Sequence, residues 1–60
     1  MKILNTKVIE NGLQTNYTFE NGFFGFKNSK GFKLIGPQGG FILEGSKNWN
    51  SAFTAINERK

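Results

Sequence analysis

Residues 13 to 20 alternate along the chain, with Leu13, Thr15, Tyr17 and Phe19 on one side and Gln14, Asn16, Thr18 and Glu20 on the other. A two-residue period of this kind predicts a strand with one buried and one wet face. The segment before it, KILNTKVI at 2–9, is apolar on both sides, with Leu4, Thr6 and Val8 against Ile3, Asn5, Lys7 and Ile9. Between the two stands Asn11-Gly12, the pair that suits a two-residue hairpin turn because both central residues need positive φ. A second such pair, Asn21-Gly22, predicts another two-residue turn, which sets Phe19 opposite Phe24 and Tyr17 opposite Phe26 and continues the core face without a slip. Asn28-Ser29-Lys30-Gly31 fits a three-residue loop with Gly31 in the left-handed position. That loop sets Phe26 opposite Leu34 and Lys27 opposite Lys33. Gly36-Pro37-Gln38-Gly39-Gly40 turns the chain again, with Pro37 fixing φ at the first corner. The strand that follows is expected to bury Phe41 and Leu43 rather than Ile42, since that phase buries two large side chains instead of one.

After Gly45 the period changes. Trp49, Ala52, Phe53 and Ile56 fall at i, i+3, i+4 and i+7, one stripe of a helix, with Ser46 or Asn48 as N-cap. Arg59 and Lys60 suit its C-terminal end, where cations complement the helix dipole. The predicted strands are 2–9, 13–20, 23–28, 32–36 and 41–44, and the helix is 47–58. Together they make an α+β fold over residues 1–60 as one small domain: a four- or five-stranded antiparallel meander with a C-terminal helix on one face. The expected core is Leu4, Val8, Leu13, Tyr17, Phe19, Phe24, Phe26, Phe32 and Leu34 beneath Trp49, Phe53 and Ile56.

The 60-residue chain has neither cysteine nor histidine, and its acids are Glu10, Glu20, Glu44 and Glu58. Disulfides, thiolate or imidazole metal ligands and most nucleophile–base pairs are thereby removed. Four scattered glutamates do not make a paired-carboxylate site, so the chain reads as a non-enzyme with no cofactor and no metal. GPQGG lacks the Lys and Ser/Thr of a phosphate loop and precedes a strand, so it reads as a turn. Gly45-Ser46-Lys47 at the helix start is the better anion candidate, with Ser46 and Lys47 beside free N–H groups. Neither a signal-peptide core nor an apolar run of about 20 residues is present. A cytoplasmic protein that does not enter membranes is expected.

The net charge of +4 directs attention to the sheet face without the helix. In the expected registers that face carries Lys7, Gln14, Asn16, Thr18, Lys27 and Lys33, with Ile3, Ile9, Phe23 and Ile35 among them and Gly25 as a flat spot. Basic groups interleaved with an aromatic suit a single-stranded nucleic acid, Lys7, Lys27 and Lys33 taking phosphates, Phe23 stacking on a base and Asn16 beside them. The same face supports a second reading. Ile3, Ile9, Phe23, Ile35 and Ile42 form an apolar patch of the kind that meets a protein partner, and an edge strand could pair with a second copy to give a homodimer. In outline, a meander followed by a helix resembles the single-strand-binding cofactor proteins, and the last three strands with the helix are similar to the DNA-binding domains of arm-type integrases. Both resemblances are of architecture and imply nucleic-acid binding as an expectation. The Asn, Lys, Ile and Phe content, with the small size, suits a phage or mobile-element protein.

Overall fold

The computed structural model describes residues 1–58. Four strands, β1 (Ile3–Ile9), β2 (Gln14–Phe19), β3 (Phe24–Asn28) and β4 (Gly31–Ile35), precede one helix, α1 (Lys47–Glu58). The strands form an antiparallel sheet in the order β1-β2-β3-β4, which is the expected meander. The fold is α+β, and the sheet is four-stranded: the expected strand at 41–44 is reduced to one bridge between Ile35 and Phe41. Arg59 and Lys60 lie outside the described residues.

The first hairpin keeps the register expected from its Asn-Gly pair, with Val8 opposite Thr15 and Ile9 opposite Gln14. Glu10, Asn11 and Gly12 all take positive φ (54, 58 and 93°). A bulge between Ile3 and Asn5 then moves Ile3 opposite Phe19, on the helix side rather than beside Lys7.

The second hairpin departs from expectation. Phe19 N–H donates to Phe23 O at 2.9 Å, so the loop holds three residues, Glu20, Asn21 and Gly22, with Asn21 and Gly22 left-handed. One extra loop residue turns β3 over. Thr18 now faces Phe24, Tyr17 faces Gly25 and Asn16 faces Phe26. The third hairpin errs in the opposite sense: Asn28 pairs with Gly31 around a two-residue loop, setting Gly25 opposite Leu34, Phe26 opposite Lys33 and Lys27 opposite Phe32. The two shifts cancel across β3. Phe32 and Leu34 therefore stay on the core side as expected, and β3 alone is inverted.

Volume explains the inversion. A Cβ on Gly25 would sit 2.8 Å from Phe32 Cε1 and 2.9 Å from Phe19 Cε2, because those two rings already fill the space over β3. A Phe at that place has no room. The buried core is Phe19, Phe32, Leu34, Ala52 and Ile56, with Ile3, Tyr17, Phe23, Ile42, Trp49 and Phe53 packed around it. Trp49 stacks on Phe53 with centroids 4.9 Å apart, and Phe32 lies 5.7 Å from Trp49 and 6.0 Å from Phe53.

Two further expectations are corrected, and the choice between two N-caps is resolved. Ile42, not Phe41 or Leu43, enters the core, because Gly36 N–H bonds Gly40 O and Ile42 N–H bonds Leu34 O, both at 2.8 Å. Phe41 and Leu43 remain 71% and 80% exposed. Leu4, Val8 and Leu13 are exposed as well, since α1 makes its main strand contact with β4, at the edge of the sheet opposite β1. Ser46 is the N-cap: its Oγ accepts Trp49 N–H at 3.3 Å and its carbonyl accepts Asn50 N–H at 2.8 Å. Asn48 lies inside the helix.

Candidate nucleic-acid interface

Alternation and pairing define the face of the sheet turned away from α1. Its residues stand in three rows that cross all four strands. One row is Asn5, Thr18, Phe24 and Ile35, the next is Lys7, Asn16, Phe26 and Lys33, and the third is Ile9, Gln14, Asn28 and Gly31. Phe41 extends the first row past the sheet edge through its bridge to Ile35. Phe24 and Phe26, two residues apart on an interior strand, stand about 7 Å from each other. Lys7 and Lys33 close the two ends of the middle row. No carboxylate belongs to any row; at the Lys33 end, Glu44 lines the same edge cleft as Lys33.

Of the residues first assigned to nucleic acid, Lys7, Asn16 and Lys33 share the middle row. Lys27 does not: it pairs with Thr15 and Phe32 on the helix side, so the expected opposition of Lys27 and Lys33 is absent. Phe23 packs against the core, and its place as the aromatic of the open face is taken by Phe24 and Phe26. Gly25 is a socket in the core and not a flat spot on this surface. Of the apolar set, Ile9 and Ile35 belong to the open face, whereas Ile3 and Ile42 pack against the core. The missing signal lay in Glu20-Asn21-Gly22, which fits a three-residue loop with Gly at the left-handed position as well as a two-residue one.

Side-chain amides join the rows. Asn28 Oδ1 accepts the Lys30 N–H at 2.9 Å, Asn28 Nδ2 donates to Gln14 Oε1 at 3.2 Å, and Gln14 Nε2 donates to Asn16 Oδ1 at 2.9 Å. All three amide residues are half-buried. Such a chain holds its members in single orientations.

No family model, curated protein or solved structure matches the chain.

Elsewhere the chemistry is sparse. The Ser46 hydroxyl is occupied by its own helix, and Lys47 is exposed on the first turn. Among the described residues no three His, Cys, Asp or Glu side chains gather as a metal set, and no helix is long and apolar enough to cross a membrane.

Proposed function

We propose that the chain is a non-enzymatic binding module that takes single-stranded nucleic acid on the open face of its sheet. The observation that carries this reading is the middle row, in which Lys7 and Lys33 flank Asn16 and Phe26, with Phe24 beside Phe26 on the same strand. Aromatic faces accept unpaired bases of any sequence, at about 1–3 kcal/mol per stacked base, while lysines follow the phosphates. A duplex offers no free base face to Phe24 or Phe26. Its major groove is also about 12 Å wide, against about 14 Å for the backbones of four strands at their usual spacing. Single strands are therefore favoured over duplex.

The test is fluorescence anisotropy of labelled single-stranded and duplex oligonucleotides titrated with the protein at two salt concentrations, with light scattering on the same sample. Micromolar or tighter binding to the single strand is expected, falling steeply with salt. The double variant Phe24→Ala with Phe26→Ala should weaken it by about 2–6 kcal/mol. No binding at low salt would overturn the reading. A dimer mass in that case would assign Phe24, Ile35 and Phe41 to a protein interface instead.

A further inference from the structure

The amide chain on the open face has a direction, and that direction carries information about the base. The Lys30 backbone N–H can only donate, so the atom of Asn28 that meets it at 2.9 Å is the oxygen. The Asn28 amide is thereby oriented, and its Nδ2 points to Gln14. Gln14 must receive on Oε1, which commits its Nε2 to donation toward Asn16. Asn16 in turn receives on Oδ1, so its Nδ2 hydrogens are turned away from Gln14, in the row between Lys7 and Phe26. An isolated asparagine can rotate its amide to suit donor or acceptor. This one is held as a donor by three successive hydrogen bonds.

From this we infer that Asn16 is a specificity-determining residue that favours keto bases, thymine, uracil or guanine, over amino bases at the position stacked on Phe26. The inference rests on the single-strand reading of the same face. The discriminating atoms lie on the base edge: thymine presents the O4 acceptor where cytosine presents the N4 amino donor, and guanine presents O6 where adenine presents the N6 amino group. Set against that position of the edge, a fixed donor meets the oxygen of a keto base and opposes the amino group of the other; the ring-nitrogen and O2 acceptors of cytosine lie at other positions, so the discrimination is that of this one position. Phe26 holds the base plane and Lys7 holds the phosphate, so the amide reads a base already in place.

The experiment compares (dT)12 with (dC)12, pyrimidines of equal charge and length, by anisotropy at one salt concentration. The native protein is expected to bind (dT)12 about five- to tenfold tighter, the worth of one net hydrogen bond on a solvent-facing surface. Gln14→Glu reverses the direction of the chain: a carboxylate accepts from Asn28 and also from Asn16, which turns Asn16 Oδ1 outward. Its added negative charge lowers affinity for both oligonucleotides alike, and the (dT)12 to (dC)12 ratio should invert. Asn16→Leu removes the reader without adding charge and should bring the ratio to about one. Equal binding of both oligonucleotides by the native protein, or a ratio unmoved in these variants, overturns the inference and leaves the platform standing. Failure of both oligonucleotides to bind at low salt overturns the platform as well.

Discussion

Replacing Gly25 with alanine distinguishes the observed register of β3 from the one its turn residues suggest. In the structure the new methyl would meet Phe32 Cε1 at 2.8 Å, Phe32 Cζ at 2.9 Å and Phe19 Cε2 at 2.9 Å. Neither ring is free to yield. Phe19 is 1% exposed and sits between Tyr17 and Phe32, while Phe32 is wedged against Trp49 and Phe53. Overpacking of this kind costs about 1–3 kcal/mol. The strand itself gains about 0.5–1 kcal/mol when glycine becomes alanine, leaving a net loss of about 1 kcal/mol from the central values and at most about 2.5 kcal/mol. For a 60-residue domain holding about 3–9 kcal/mol in all, that is a large fraction. Urea unfolding followed by the fluorescence of Trp49, the sole tryptophan, reads it directly. With a slope of about 1 kcal/mol/M, the midpoint should fall by about 1 M. Gly40→Ala is the control, because its methyl meets nothing within 4 Å and should shift stability by less than about 0.5 kcal/mol. If Gly25→Ala is as stable as the native chain or more so, Gly25 faces solvent, β3 has the other register, and Phe24 and Phe26 are core residues rather than a platform.

Other outcomes follow from the same geometry. Lys33→Glu, at the end of the middle row, should take about one unit from the log-log salt slope of single-strand binding. Lys27→Glu, on the opposite side of the sheet, should change the slope far less, and equal effects would show that the two lysines do not lie on different faces. Ser46→Ala removes the oxygen that accepts Trp49 N–H and should cost about 0.5–2 kcal/mol of stability, read from the shift of the urea midpoint. Lys47→Glu places a negative charge on the first turn of a helix that has no acid there. It should gain about 0.3–1 kcal/mol at low salt and lose that gain at high salt; destabilisation at low salt would show that Lys47 has a stabilising partner.

The chain order, the helix bounds and the β1–β2 register were legible because each rests on local signals: Asn11-Gly12, the Trp49-Ala52-Phe53-Ile56 stripe and the polar break around Gly45. The side chosen by β3 was not. It depends on whether Glu20 joins the turn, and the turn residues fit both lengths. The decision is made by packing between residues far apart in sequence, as Phe19 and Phe32 converge over Gly25. The open face inherits the same difficulty. Lys7, Asn16 and Lys33 could be placed from strands whose phase was right, whereas Phe23 and Lys27 were assigned with β3 inverted. Ile42 was misplaced for a related reason, since the phase after GPQGG is fixed by the hydrogen bond from Ile42 to Leu34 and not by side-chain size.

The bulge between Ile3 and Asn5 also bears on how the molecule behaves in crowded solution. β1 is an outer strand of the sheet, and such an edge is a template on which another chain can grow. The bulge interrupts regular pairing at one end and leaves about five residues, Asn5–Ile9, or some 17 Å, as a straight run. Lys7 stands at the centre of that run. A second copy docking antiparallel about this point would bring two ammonium groups together, with too short a ladder to offset their repulsion. An extra residue and one lysine thus work against edge-to-edge polymerisation and favour a sheet that ends where the molecule ends.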